Sequence, residues 1–160
     1  MTGQGQGQER GAVVQPGAGL ALRGRVVGPL DLMLTAAQTG GVVTALENVV
    51  APGAGPPLHL HLAQDETWRV LAGTVRFRIG DEVTVAGAGA WAFVPRGVAH
   101  CYENVGERDA VLAVLFTPAG MERFFVELSR LDPNDVGPDT IATLAAPDGM
   151  IVLGPRQFPS

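Results

Sequence analysis

Lysine is missing from this chain of 160 residues, so all eleven basic side chains are arginine and Schiff-base chemistry through a lysine amine is excluded. Cysteine occurs once, as Cys101. A lone thiol closes no internal disulfide, so no disulfide framework holds the fold, and the composition fits a reducing compartment. Runs of basic residues are absent too, and the net charge is −5, which argues against nucleic acid and anionic membrane as partners. No apolar stretch reaches the length of a bilayer-spanning helix. The opening MTGQGQGQERG has neither the basic nor the apolar segment of a secretory signal and reads as a disordered Gly/Gln tail. Taken together, these absences lead us to expect a soluble cytoplasmic protein.

Glycine (22) and proline (12) are plentiful, and they recur between short apolar runs, as an all-β fold with many turns requires. The length and an apolar fraction of 46% suit one domain with a substantial core. Strand candidates begin after the tail, at about Gly19, with ALRGRVV, LDLMLT and GVVTALENVVA. Alternation in TVRFRIG puts Val75, Phe77 and Ile79 on one face and Arg76 and Arg78 outside; in DETWRVLAG it turns Glu66, Trp68 and Val70 inward. His100, Tyr102 and Asn104 share a face, which leaves Cys101 on the other as a buried, inert thiol. Trp91 and Phe93 also share a face, and core packing is the ordinary role of such aromatics. We expect Trp68, Val70, Val75, Phe77 and Tyr102 to wall a pocket suited to an apolar, ring-containing small molecule. After a strand DAVLAVLF, the segment PAGMERFFVELSRL carries Met121, Phe124, Phe125, Leu128 and Leu131 at helical spacing. That spacing predicts a helix docked on the outside of the β-structure or near its mouth.

All three histidines fall in one two-part pattern. The first half is G(x)5HxH(x)4E(x)6G, filled by Gly53, His59, His61, Glu66 and Gly73; the second is G(x)5PxG(x)2H(x)3N, filled by Gly89, Pro95, Gly97, His100 and Asn104. His59 and His61, two apart on a strand, project the same way, and a turn around Ala63 to Asp65 lets the Glu66 carboxylate reach the same point. His100 closes the set from a strand far along the chain. Three imidazoles and a carboxylate suit one divalent transition metal ion, and iron, manganese, nickel, cobalt, copper and zinc all accept such ligands. An octahedral ion would keep positions open for substrate, as a catalytic site requires. Glu66 can ligate, act as general base, or alternate between the two. With every histidine in this set, neither Ser129 nor Ser160 has one to activate it, which argues against a Ser/His/Asp hydrolase.

These ten positions are the signature of the cupin superfamily, and the chain resembles a cupin with a single copy of the motif pair. The resemblance implies an all-β double-stranded β-helix, or jelly-roll, barrel with a short C-terminal helical segment. On it the chain divides into a tail (1–19), the cupin barrel (20–117), and a helix and closing segment packed on the barrel (118–160). A homodimer is implied as well, and exposed apolar strands near the N-terminus point the same way. PPLHLH followed by DE, FVPRGVAHCYEN, PAGMERFF and DGMIVLGP resemble the small bacterial monocupins that are similar to quercetin 2,3-dioxygenases. In that family the motif histidines and glutamate bind a divalent metal, the glutamate deprotonates the flavonol 3-hydroxyl, and dioxygen addition opens the heterocycle with loss of carbon monoxide. Carried over, the resemblance makes His59, His61 and His100 ligands and Glu66 both ligand and catalytic base. It leads us to expect a metal-dependent dioxygenase acting on a flavonol-like or other aromatic or enolisable hydroxyl compound. Superfamily resemblance also admits an oxygen-independent metal-dependent cyclase, isomerase or decarboxylase of natural-product metabolism, and a non-catalytic small-molecule-binding cupin.

Overall fold

The computed structural model describes residues 11–26 and 28–159. Of the expected tail, residues 1–10 lie outside the described residues; residues 11–19 run without regular structure to the first strand at Leu20. Eleven strands follow among the described residues: β1 (Leu20–Leu22), β2 (Leu30–Leu34), β3 (Thr44–Val50), β4 (Leu58–His61), β5 (Asp65–Ala72), β6 (Thr74–Ile79), β7 (Glu82–Gly87), β8 (Trp91–Val94), β9 (His100–Asn104), β10 (Ala110–Thr117) and β11 (Met150–Gly154). They form a six-stranded sheet in the order β1-β2-β3-β10-β5-β8 and a five-stranded sheet in the order β11-β4-β9-β6-β7, each antiparallel. Two antiparallel sheets with this interleaved order make the expected jelly roll.

Alternation drives the closure. Leu46, Val50, Trp68, Val70, Ala110, Leu112, Val114 and Phe116 point inward from the first sheet and meet Val75, Phe77 and Tyr102 from the second, all of them buried. The arginines of β6 face outward, where Arg76 pairs with Glu103 of β9 and Arg78 donates to the carbonyl of Gln157. Cys101 also faces away from the interior, yet the terminal segment covers it completely, and burial raises its pKa. Trp91 and Phe93 depart from the core role expected of them. Their side of β8 is the outer face of the first sheet, and they are 63% and 58% exposed.

The helices are short. Ala36–Thr39 (α1) is a single turn, Glu122–Ser129 (α2) is the helix expected from the apolar spacing, and Pro138–Ala145 (α3) follows it. The buried side of α2 carries Phe124 and Leu128, with Met121 at its N-cap. Glu122 ties this helix to the first sheet: its carboxylate accepts from Thr44 Oγ1 at 2.5 Å and from the Ala36 amide at 2.7 Å. The expected closing segment within residues 118–160 includes β11. Met150, Ile151 and Val152 pair with His61, Leu60 and His59, so the C-terminal segment supplies an edge strand of the second sheet rather than only packing on it.

Gly73 turns the chain from β5 into β6 at φ +88°, and a Cβ there would stand 2.7 Å from Ala110 Cα. Gly97 has a similar φ of +82° but open space around it. Gly73→Ala should therefore lower the unfolding free energy by about 2–3 kcal/mol and Gly97→Ala by about 1 kcal/mol. Urea unfolding followed by circular dichroism reads the difference; equal losses would refute the steric account of Gly73.

Candidate metal centre

β4 and β9 lie side by side with His59 opposite His100, while β5 brings Glu66 in from the other sheet. The turn after β4 is held by the second motif: the Gly97 amide donates to the His61 carbonyl at 2.7 Å, and Val98 closes a turn onto Pro95. Arg96 grips Asp65 from the same loop, with Nε on Oδ1 at 3.0 Å and Nη2 on Oδ2 at 3.1 Å, fixing the residue next to Glu66. Asn104 is structural. Its amide donates to the carbonyls of Val50 and Arg108, each at 2.8 Å, and its oxygen accepts from Gly106, so it pins the turn that follows β9.

His59, His61, Glu66 and His100 are all buried, and each offers a ligand atom within 4.8 Å of the others. Atoms about 2.0–2.2 Å from a common ion stand roughly 3–4 Å apart, so this spacing is close to that of a ligand shell. The orientation of the rings fits an ion as well. His59 Nδ1 lies 2.8 Å from the Pro57 carbonyl and His100 Nδ1 lies 2.8 Å from the Val98 carbonyl. A carbonyl only accepts, so each Nδ1 is the protonated nitrogen and Nε2 is the one available to a metal. His61 presents Nε2 to Glu66 Oε2 at 3.1 Å, while its Nδ1 is buried with no hydrogen-bond partner.

Charge completes the picture. Burial disfavours an ionised Glu66, but hydrogen bonds from His100 and His61 more than reverse this and hold its carboxyl well below the usual range. Burial likewise disfavours a charged His100, yet the 2.9 Å contact with Glu66 raises its pKa. His59 is pushed down to about 3 by burial and by the neighbouring His100, so it is neutral at any ordinary pH. A metal ion takes only an unprotonated imidazole nitrogen, so protonation of His100 and metal binding at its Nε2 compete.

Trp68 holds the other side of the carboxylate. Its Nε1 donates to Glu66 Oε1 at 2.7 Å, while the indole stacks on Phe77 at 5.1 Å and meets Tyr102 edge-on at 5.8 Å. This corrects the expected pocket. Tyr102 does line the cavity beside the cluster, but Trp68, Val70, Val75 and Phe77 are not on its walls; they pack together in the core. Alternation identified the inward face and not the depth along the barrel. The cavity, of about 470 Å³, has His59, His61 and Glu66 on its surface, Leu46, Val114 and Phe116 along one wall, and Met121, Phe124, Phe125, Leu128 and Ile141 from the helical segment. The signal for that wall was present in the apolar spacing of α2, because β10 ends with Phe116 opposite Glu66 and leads directly into the helix.

A jelly-roll barrel with three inward imidazoles and one carboxylate defines a class of small metal-site proteins, and the comparisons agree. Residues 47–116 match the family model described as Cupin domain. Over those residues the chain matches a cupin domain, and its fold is that of the cupin structures. Over 58 residues it is 40% identical to mannose-1-phosphate guanylyltransferase ManC of Salmonella typhimurium, which is 36% of this chain and 12% of that enzyme. Over 72 residues it is 36% identical to an uncharacterized protein of Aquifex aeolicus, covering 44% of this chain and 59% of the relative. The chain thus spans only a small part of the transferase and somewhat over half of the second relative. Among solved structures, one from Thermotoga maritima described as a predicted oxalate decarboxylase superposes with a TM-score of 0.58 at 20% identity, covering 67% of this chain and 99% of the other. The polyketide cyclase RemF of Streptomyces resistomycificus gives 0.55 at 18% identity, covering 66% and 78%. At these identities the likeness establishes the fold. Among the described residues no helix is long and apolar enough to cross a membrane.

Two substitutions separate ligation from support. His100→Ala should reduce bound divalent metal well below one ion per chain with an unchanged circular dichroism spectrum; full stoichiometry would show the ligand set to be wrong. Trp68→Phe keeps an aromatic ring on Phe77 but removes the donor to Glu66, and should weaken metal affinity by about 10–100-fold without abolishing binding. Unaltered affinity by titration calorimetry would mean that the indole only packs.

Proposed function

We propose that this cupin is a metal-dependent enzyme acting on a small, largely apolar, ring-bearing molecule with an acidic or enolisable hydroxyl, and that its reaction is a quercetinase-like dioxygenation. The observation that carries the reading is the placement of an ionised carboxylate, Glu66, with His59 and His61 on the surface of a largely apolar cavity of about 470 Å³, and with His100 bonded to the same carboxylate. Cavities of about 300–1,000 Å³ suit small-molecule ligands.

His59, His61 and His100, with Glu66 as a fourth ligand or as the base beside it, would hold a divalent ion, which would supply a Lewis acid to polarise a substrate oxygen and to activate dioxygen. The chain's own groups do the rest. The aliphatic and phenylalanine side chains exclude water and favour a flat apolar body over a sugar phosphate or an amino acid. Glu66 Oε2, turned toward the imidazoles, accepts the proton of the substrate hydroxyl, while the Trp68 N–H keeps Oε1 fixed. Asn48 and Tyr102 form a polar pair on the cavity: the Asn48 amide donates to the Tyr102 oxygen at 3.2 Å, which frees the phenol O–H to donate to a second oxygen of the substrate. Burial and the Glu66 charge raise the Tyr102 pKa, so the phenol remains a neutral donor.

The same base next to the same ion also supports proton abstraction without oxygen, which makes an oxygen-independent cyclase, isomerase or decarboxylase the second reading. Oxygen uptake by protein reconstituted separately with iron(II), manganese, cobalt, nickel and copper, offered quercetin, distinguishes the two. We expect uptake with at least one ion, abolished by chelation and reduced about 10²–10⁴-fold in Glu66→Ala. No uptake with any fully loaded form would overturn the dioxygenase reading. Turnover of enolisable substrates under argon would then favour the second, and unchanged ligand recovered from the protein would favour a binding role.

A further inference from the structure

The last residues of the chain cross the outer face of the second sheet, behind the metal-ligand candidates. Past the end of β11 the Gln157 carbonyl accepts from Arg78 Nη1 of β6 at 3.0 Å and lies 3.7 Å from the Cys101 thiol of β9, and the Phe158 ring sits 4.0 Å from the Arg76 guanidinium. Arg156, at the start of this strap, reaches to the loop between β3 and β4. Its Nη1 donates to the Gly55 carbonyl and its Nη2 to the Gly53 carbonyl, each at 2.7 Å, with Glu103 of β9 at 3.8 Å from the same guanidinium. The loop needs such an outside donor because of its sequence, Gly53-Ala54-Gly55-Pro56-Pro57: two adjacent prolines carry no N–H with which to tie it down. β9 holds the first part, where the Gly53 amide donates to the Asn104 carbonyl at 2.8 Å and the Asn104 amide to the Ala54 carbonyl at 3.0 Å. Gly55 then runs so close to β9 that a Cβ there would overlap the Tyr102 carbonyl oxygen. At the far end the Pro57 carbonyl is the acceptor for His59 Nδ1, and Ala54 through Pro57 line the cavity.

We propose that Arg156 is a positioning residue for His59. The fork fixes the backbone from Gly53 to Gly55, the prolines carry that constraint rigidly to residue 57, and the Pro57 carbonyl then holds the His59 ring as its Nδ1–H tautomer with Nε2 turned to Glu66 and the other imidazoles. A planar guanidinium suits the task, since its donors reach two carbonyls at once, which the single ammonium of a lysine does not do in a fixed geometry. The residue lies 97 positions from His59 in the chain and is no part of the cavity, so it acts on the site only through this loop. Its functional meaning rests on the metal-centre reading, while the effect on the His59 ring does not. Partners that orient a ligating histidine from outside the ligand shell change metal affinity about 10–100-fold, and Arg156, one step further out, belongs at the lower end.

Two measurements on the full chain test this. Nitrogen–proton correlation spectra of the histidine rings in metal-free protein should show His59 as a single Nδ1–H tautomer in the wild type and as a mixture of tautomers in Arg156→Ala. Titration calorimetry with cobalt(II) should show the same variant binding about tenfold more weakly. Arg156→Lys, which keeps a charge beside Glu103 but not the fork, should fall between the two in both readouts and serves where the alanine variant does not fold. Arg78→Ala removes an anchor of the strap at Gln157 and leaves the fork in place, so both readouts should stay at their wild-type values. A wild-type tautomer and cobalt affinity in Arg156→Ala would overturn the proposal. So would losses in Arg78→Ala equal to those in Arg156→Ala, because docking of the whole strap would then be responsible. A wild type that binds no cobalt, in a series where loss of Arg156 still mixes the His59 tautomers, would overturn the metal-centre reading and support the positioning role.

Discussion

The structure is organised around one buried carboxylate. An ionised Glu66 withdrawn from water costs several kcal/mol, and only a close set of donors and a compensating charge make that tolerable. The barrel supplies both: His61 and His100 face one oxygen and the Trp68 indole faces the other. The rest of the motif serves this arrangement. Carbonyls of Pro57 and Val98 set the tautomers of His59 and His100, while the Pro95–Gly97 turn and the Asp65–Arg96 pair fix the loops that lead into them.

Apolar side chains enclose this cluster. α2 and α3 present their apolar side to the cavity, so the helical segment is a wall of the site as well as an external cap. Excluding water there strengthens the interactions among Glu66, its donors and any bound oxygen ligand. The Glu122 carboxylate, held by Thr44 and the Ala36 amide, keeps that wall attached to β3, whose inward residues Leu46 and Asn48 share the same cavity. The fold and the site therefore depend on the same contacts.

The metal-ligand candidates were legible in the chain because their geometry follows from short-range rules. Two histidines at a spacing of two share a strand face, and a carboxylate just past a turn reaches the same side. The inward faces of β5, β6 and β9 were legible for the same reason, and so was α2. The walls of the cavity were not. Trp68, Val70, Val75 and Phe77 have the same alternation as true wall residues, but they lie among the packed side chains of the core, and no local pattern distinguishes these depths. Trp91 and Phe93 show the same limit in the other direction, since hydrophobicity alone does not say which side of a sheet edge is covered.

By itself the sequence determined what nearest neighbours along the chain can determine: strand faces, turns, the four converging candidate ligands, and the chemistries that a chain without lysine and with a single cysteine cannot perform. Tertiary structure alone decided how the elements meet. It made Trp68 the hydrogen-bond partner of Glu66, paired β11 with β4 at the edge of the second sheet, brought Phe124 and Leu128 to the cavity that His59, His61 and Glu66 also line, and aligned Glu47, Ala113 and Arg69 in one row. The reason is physical: local propensity acts over a few residues, whereas strand register and sheet closure are set by burying the whole apolar surface at once.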